Sequence, residues 1–336
     1  VETLTFGKNV SNLDATRFTQ LLNRSYLRNG DNKFSPKQEN LIPYFEGHNS
    51  KCFLTFYNEQ ETQKIFETDE IIQMNRGIGL MTSRPMHITL TNLKKGTIRF
   101  DAYYADYLCV DKAYRRKGIA PQIIATHHYN QRLLNKDIQV SLFKREGTLT
   151  GIVPLCIFNM YVFSMKNWSK PSHLLPPYSI VECGELHHLY DFLRDKKEKF
   201  NVTVIPEITN LMALIKTKNI FIYLLLEEKA GVVGCYFFRK SCTTMEKGQE
   251  ALTCFASING STQDIFIHGF KQSLSEICFK KESAFYHMVV EDIGDNDVII
   301  ANLKLKTWAT TVIPAAYFFY NYACTTVNKN KTLFIL

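Results

Sequence analysis

The sequence predicts an α/β fold of the α+β kind, with two successive units arranged around a mixed, mostly antiparallel sheet. Three observations lead there. Apolar residues make up 45% of the 336-residue chain and aromatic residues 13%, enough for a large core and too rich for disorder. Stretches of strand-like and helical periodicity alternate along the whole length. The order helix, hairpin, strand, helix, strand occurs twice, on either side of a proline-rich break, and this points to an internal duplication.

The elements follow from local patterns. Leu13 to Asn29 places Phe18, Leu21, Leu22 and Tyr26 on one helical face, with Asn12 or Asp14 available as a cap. Cys52 to Tyr57, Gly79 to Leu90 and Thr97 to Val110 are strand-like, and Gly77 and Gly79 mark a bend. Ile119 to Leu134 has helical spacing, and Gln139 to Phe143 is the next strand. The break at 167–177 holds Pro171, Pro176 and Pro177 and separates a first unit, 1–166, from a second, 178–336. The second unit reads as a helix from Glu185 to Lys196 and a short helix from Pro206 to Lys216. A hairpin follows, Ile220 to Leu226 and Val232 to Phe238, turning at Glu227 to Gly231. Ala251 to Ala256 is a strand, Ser261 to Cys278 a helix and Phe285 to Val290 a strand, before a helix and closing strands reach Leu336. The duplication is expected to relate the neighbourhood of Tyr107 to Phe285 to Val290.

Charge and composition narrow the function. The net charge is +8, but the basic residues are scattered. The cluster Lys112, Arg115, Arg116 and Lys117 suits a phosphorylated small molecule better than a nucleic acid. No apolar run approaches the length of a membrane span, and Val1 to Asn12 lacks a secretory apolar core. The nine cysteines stand singly, without a CxxC pair, and read as reduced, mostly buried thiols of a cytoplasmic protein; no metal site is expected. His127-His128 and His187-His188 fall on helices, where adjacent side chains diverge, and are expected at the surface. Glu227-Glu228 reads as a solvated turn, and Phe237, Phe238, Phe318 and Phe319 as core.

The stretch that carries chemistry runs from Tyr107 to Pro121 and contains Arg-x-x-Gly-x-Ala at Arg115, Gly118 and Ala120, between a strand and a helix. A glycine at such a junction lets the chain turn tightly and aim several N–H groups at one point. With the positive end of the helix, this makes an anion site that a pyrophosphate fills well. Arg115, Arg116 and Lys117 add charge.

This loop, with Leu108-Cys109-Val110, Lys112, Arg115, Lys117, Ala120 and Pro121, resembles the acyl-CoA loop of the glycylpeptide N-myristoyltransferases. Further similarities occur in order along the chain: Leu21-Leu22-Asn23 with Tyr26, then Asp31-Asn32 with Phe34; Asp292 with Asn296, Leu303 and Lys304; Tyr320-Asn321-Tyr322 with Cys324; and the ending Phe334-Ile335-Leu336. The resemblance implies two tandem GNAT-like units, the first binding myristoyl-CoA and the second supplying most of the groove for an N-terminal glycine peptide. It implies that Tyr107, Leu108, Cys109, Val110, Arg115, Arg116, Lys117, Gly118, Ile119, Ala120 and Pro121 contact the acyl-CoA. The backbone N–H groups of Tyr107 and Leu108 would form the oxyanion hole, the carboxylate of Leu336 would take the glycine proton, and Asp292 would face the peptide. Asp292 also suits a helix N-cap. The sequence departs from the family at Leu142-Phe143-Lys144-Arg145, over Cys156 to Ser164, and between Lys304 and Tyr317. These departures touch the peptide side more than the CoA side, and Gly118 also departs from the family, moving the loop toward generic N-acetyltransferases. They leave open a non-catalytic binding or structural module, and a small-acyl GNAT N-acetyltransferase.

Overall fold

Strand β1 (Glu2–Thr5) leads into helix α1 (Asn12–Ser25) in a computed structural model that describes residues 1–26, 33–64, 71–92, 96–148, 151–245, 249–278 and 285–336. The helix starts one residue earlier than expected, on Ser11. Its hydroxyl accepts the Asp14 N–H while Asp14 accepts the Ser11 N–H, a capping box that satisfies two donors the first turn leaves open. Phe18, Leu21 and Leu22 are buried as their spacing requires. The predicted helix end at Asn29, and Asp31 and Asn32, lie outside the described residues.

The first half continues through β2 (Lys33–Phe34), α2 (Gln38–Leu41), β3 (Phe53–Lys64), β4 (Ile71–Asn92), β5 (Gly96–Val110), α3 (Ile119–Leu134), β6 (Val140–Glu146) and β7 (Cys156–Ser164). After the break come β8 (Tyr178–Glu182), α4 (Leu186–Asp195), β9 (Val202–Ile205), α5 (Ile208–Lys216), β10 (Ile220–Glu227), β11 (Gly231–Thr244) and β12 (Glu250–Asn259). The chain closes with α6 (Gln263–Cys278), β13 (Phe285–Glu291), α7 (Asn296–Lys306), β14 (Ala309–Tyr320) and β15 (Thr332–Phe334). The expected bend at Gly77 and Gly79 is a bulge: Tyr57 faces Gly79 and Asn58 faces Gly77, so Ile78 is the extra residue.

The strands form one sheet in the order β1-β3-β4-β5-β6-β14-β7-β13-β12-β11-β10-β8. This order reads the same from both ends, with β5 matching β12 and β6 matching β13. Each of these adjacent pairs is parallel, β5 with β6 and β12 with β13, and each is joined by a helix, α3 or α6. The duplication is therefore visible in the topology, with one correction. The counterpart of Tyr107 lies in β12, not in Phe285 to Val290, which matches β6.

Two strands cross between the halves. Strand β14 lies between β6 and β7, and β7 lies between β14 and β13. Strand β7 was not expected from the sequence. Its inward residues Cys156, Phe158 and Met160 are buried, but Ile157 on the other face is also apolar and exposed, so the alternation that marks a strand is muted.

Helix α3 packs on the sheet through Ile119, Ile123, His127 and Gln131, a stripe four residues apart whose second half is polar. Burying polar groups requires partners. His127 binds Thr55 Oγ1 at 2.7 Å and Ser83 Oγ at 2.8 Å, and Gln131 Nε2 donates to Ser141 Oγ at 3.2 Å. His127 is only 1% exposed, which corrects the surface placement expected for it. All nine cysteines are free, six of them buried. Phe237, Phe238, Phe318 and Phe319 are core. Among the described residues no helix is long and apolar enough to cross a membrane.

Burial holds the His127 imidazole neutral and lowers its pKa to about 3, and His48 is lowered to about 4 in the same way. The unfolded chain protonates these rings near ~6.5. Their contribution to stability is therefore complete above that pH and is lost as the pH falls towards the folded values. Each group steepens the decline by about 1.4 kcal/mol per pH unit in that window. Urea unfolding across a pH series should show stability falling steeply below ~6.5. His127→Gln should be less stable at neutral pH by about 1–3 kcal/mol, with a shallower acid slope. An unchanged slope would mean that His127 does not titrate on unfolding.

Candidate functional site

Strands β5 and β6 pair in parallel from Ala102 opposite Val140 to Ala105 opposite Phe143, and no further. Beyond that point they part, and the gap opens beside Asp106, Tyr107 and Leu108. Against β4 the register slips at the same place. Asp106 faces Thr82 and Cys109 faces Leu80, so two residues, Tyr107 and Leu108, span the one position of Met81. Tyr107 has a φ of 53°, a left-handed conformation that a bulky residue adopts at a cost of about 1–3 kcal/mol. Asp106 helps to hold it, its Oδ1 accepting the Tyr107 N–H at 2.8 Å while its carbonyl accepts from Thr82 Oγ1 at 3.1 Å. The Tyr107 ring packs against Phe18, Tyr26 and Phe34, with centroids 5.7, 5.7 and 6.2 Å away. Leu108 is 37% exposed.

Past Val110 the chain bends through a short loop into α3. Asp111 accepts the Ala113 N–H and pairs with Arg24 at 2.9 Å and Arg76 at 3.5 Å. Arg115 is exposed, with two of its donors engaged. It donates to the carbonyls of Val110 at 3.1 Å and Ser25 at 2.8 Å, tying the loop to the end of α1. Arg116 and Gly118 both have left-handed backbones, with φ of 66° and 74°, and together they turn the chain onto the helix axis. A side chain at Gly118 would meet nothing within 4 Å, so the conformation, not crowding, favours glycine there. No side chain caps this helix start. The N–H groups of Ile119 and Ala120 therefore remain among the open donors of the first turn, beside exposed Lys112, Arg116 and Lys117. Pro121 has no N–H and sits within that turn, where none is required. Open donors, a positive helix end and exposed cations suit a polyphosphate chain.

Across the sheet a group of buried charges links the bulge to the end of the described chain. Glu291, on β13, pairs with Arg239 of β11 at 2.5 Å and Lys144 of β6 at 3.1 Å. Arg239 also donates to the Leu336 main-chain oxygen at 3.2 Å. Leu336 is 2% exposed, packed with Phe334, Tyr317 and Tyr104. Arg84 is buried with its guanidinium over the rings of Tyr44 and Tyr104, and its Nη1 has no hydrogen-bond partner. Burial raises the Asp106 carboxyl above its ordinary range, although the Tyr107 N–H, Arg84, Arg239 and Lys144 pull the other way. Asp106, Arg84, Arg239, Glu291 and Lys144 were not singled out from the sequence. Two of them carry a local signal, a charge directly after an apolar run, as in Phe237-Phe238-Arg239 and Val289-Val290-Glu291.

Asp292 is buried and bonded to Lys329. It is not a helix cap, because α7 starts at Asn296 after Asp295. The matching bulge in the second half, where Phe237 faces Ala256 and Phe238 faces Cys254, leaves out Phe255, whose ring lies under Arg239 at 5.0 Å. His187 and His188 do not diverge. Their rings are 3.8 Å apart in the first turn of α4, where no preceding turn restricts the rotamers. With Glu185 they place three donor atoms within 4.8 Å of one another, all on exposed residues. A cavity of about 390 Å³ near Pro176, Tyr178 and Glu227 involves none of the predicted site residues.

No protein-family profile matches the sequence, and no curated protein matches it. Solved structures do. Saccharomyces cerevisiae N-myristoyltransferase with bound myristoyl-CoA superposes with a TM-score of 0.69, over 97% of this chain and 84% of that one, at 10% identity. A second structure of the yeast protein with myristoyl-CoA gives 0.70, over 98% and 80%, at 11% identity. A tandem GNAT protein from the clavulanic acid biosynthesis pathway gives 0.60, over 95% and 98%, at 10% identity. The chain has the tandem GNAT fold that N-myristoyltransferase also adopts.

Proposed function

We propose that the protein is an N-acyltransferase that moves a long-chain acyl group, of the myristoyl type, from acyl-CoA to the N-terminal glycine of a protein or peptide. The observation that carries this reading is the Tyr107–Leu108 bulge opening into the gap between β5 and β6, with the uncapped basic start of α3 beside it. In this reading residues 1–166 hold the donor. Lys112, Arg116, Lys117 and the first-turn N–H groups of α3 face the phosphates, while the main chain from Tyr107 to Val110 runs beside the thioester arm. Residues 178–336 receive the peptide, with Asp292 on that side of the fold.

The glycine nitrogen attacks the thioester carbon, a C–N bond forms, the C–S bond breaks, and CoA leaves as the thiolate, which takes the second proton from the nitrogen. The Leu108 N–H, and the Tyr107 N–H once Asp106 turns away, stabilise the oxyanion. The ammonium proton must first go to a base. An α-amino group titrates near ~8 and an α-carboxyl near ~3.5, so the transfer costs about 6 kcal/mol in water, and burial narrows that gap. Two carboxylates compete for the role. That of Leu336 lies at the end of an apolar segment, but Arg239 donates to the Leu336 oxygen, and a guanidinium partner weakens a base. Glu291 offsets part of that charge. Asp106 adjoins the bulge and is already raised by burial.

One observation favours a second reading. Phe18, Tyr26 and Phe34 fill the room around the Tyr107 ring, which suits a short acyl group, or a module that binds without turnover.

Calorimetry with myristoyl-CoA and acetyl-CoA separates these readings, and Gly118→Asp should weaken donor binding by about tenfold or more, through the strained backbone and the like charge facing phosphate. Unchanged affinity would place the phosphates elsewhere. For the base, residues appended after Leu336 and the Asp106→Asn variant should be compared in acyl transfer to a glycine peptide. The change that removes the true base should lower turnover about 10²–10⁴-fold and abolish the acid limb of the pH profile, with donor binding kept. A wild-type protein that binds acyl-CoA and acylates no glycine peptide would leave the binding module as the function.

A further inference from the structure

The end of the sheet toward which β5 and β6 run carries a feature that acyl transfer does not use. Strand β14 is antiparallel to β6, and β7 is antiparallel to both β14 and β13, so the starts of β13 and β14 gather with the end of β7 at that end. Helix α7 brings its last turn to the same place, because only Thr307 and Trp308 separate it from β14. There Leu305 is 84% exposed and Trp308 92%, the highest values for large apolar side chains among the described residues. Tyr286, also exposed, lies across from Met165, whose N–H donates to its carbonyl at 2.9 Å. Leaving a tryptophan almost wholly in water is costly, and its indole finds a better place where one side is apolar and the other wet.

Four lysines gather near these residues. Lys271 on α6 and Lys306 at the end of α7 lie close enough for Lys306 to lower the proton affinity of Lys271, alongside burial. Lys304 sits 3.9 Å over the Tyr161 ring, and Lys166 follows the end of β7. The lysine ion pairs among the described residues involve Lys37, Lys144, Lys199 and Lys329, none of these four. Two ammonium groups held side by side, with no ion pair among the described residues, favour an anion between or over them.

We propose that this end of the molecule is a docking surface for an anionic membrane, with Trp308 and Leu305 entering the headgroup layer and Lys166, Lys271, Lys304 and Lys306 facing the lipid phosphates and carboxylates. The apolar tips are carried on a helix end and a short connection rather than in a groove, which suits a soft, laterally mobile partner better than a folded one. Lysines on long stems reach past such tips to an interface, and tryptophan is the side chain that settles at headgroup depth. Each lysine near an anionic surface strengthens partitioning about fivefold. The same end of the sheet carries the bulge, so an acceptor approaching from a membrane would meet the candidate site on the side that faces it.

The test uses the full chain with Trp168→Phe, which makes Trp308 the sole tryptophan of the two in the sequence. On vesicles of mixed phosphatidylcholine and phosphatidylserine its emission should shift to the blue, and brominated lipid should quench it. Vesicles of phosphatidylcholine alone should leave it unchanged. In sedimentation with the mixed vesicles, Trp308→Ala, and Lys271→Glu combined with Lys306→Glu, should each lose about tenfold or more in binding, with circular dichroism unchanged. The proposal is overturned if Trp308 keeps a water-exposed spectrum on anionic vesicles. It is equally overturned if the charge-reversed protein sediments like wild type. Tight binding of a nucleic acid without binding to vesicles would assign the lysines to another polyanion and end the membrane reading.

Discussion

The buried carboxylate of Glu291 holds the two halves of the sheet to one another and to the last residues of the chain. It receives Arg239 from β11 and Lys144 from β6, and Arg239 reaches on to the Leu336 oxygen. Two cations on a buried carboxylate, with only the partly exposed Glu146 as a further partner of Lys144, contribute little to stability alone. Once formed, however, the group is costly to break, because removal of one member leaves a buried charge uncompensated, at about 3–5 kcal/mol. The register of β6 beside β14, the seat of β15 on β9 and the burial of Leu336 all lie around this point. Asp106, whose carboxyl feels the same Arg239 and Lys144, connects it electrically to the bulge.

The two halves share a topology and differ in chemistry. Both have a bulge in the strand that precedes the crossover helix, at Tyr107–Leu108 and at Phe255. Only the first is followed by a loop with left-handed Arg116 and Gly118 and exposed cations. In the second, Arg239 lies over the Phe255 ring, and Asn259 and Ser261 bind one another at the corresponding turn. A duplicated frame thus has one face suited to a phosphorylated ligand and another whose counterpart is turned inward to the shared charge group.

Much of this was legible in the sequence, for reasons that differ from part to part. The helices α1 and α3 and the hairpin of β10 and β11 announce themselves because their buried faces repeat at the period of the element. The loop from Arg115 to Gly118 is readable because its chemistry is local. The sequence offers Arg115 as a phosphate ligand and gives no sign of its bonds to the carbonyls of Val110 and Ser25, the latter 90 residues away. His127 was misplaced for the same reason, since what lets it be buried is Thr55 and Ser83, 72 and 44 residues distant. The buried charges cannot be read as a group because no run of residues contains them, and β7 is hidden because both of its faces carry apolar side chains.

The crossing of β7 and β14 makes the linker at 167–177 a seam in the chain but not in the object. Separated there, the first fragment would expose both edges of β7 and leave β6 unpaired where β14 had been, while the second would carry β14 with neither neighbour. Each piece would be a sheet with a slot shaped for the other's strand. The two halves are therefore less like beads on a string than like two hands with interlaced fingers, each left with bare strand edges when parted.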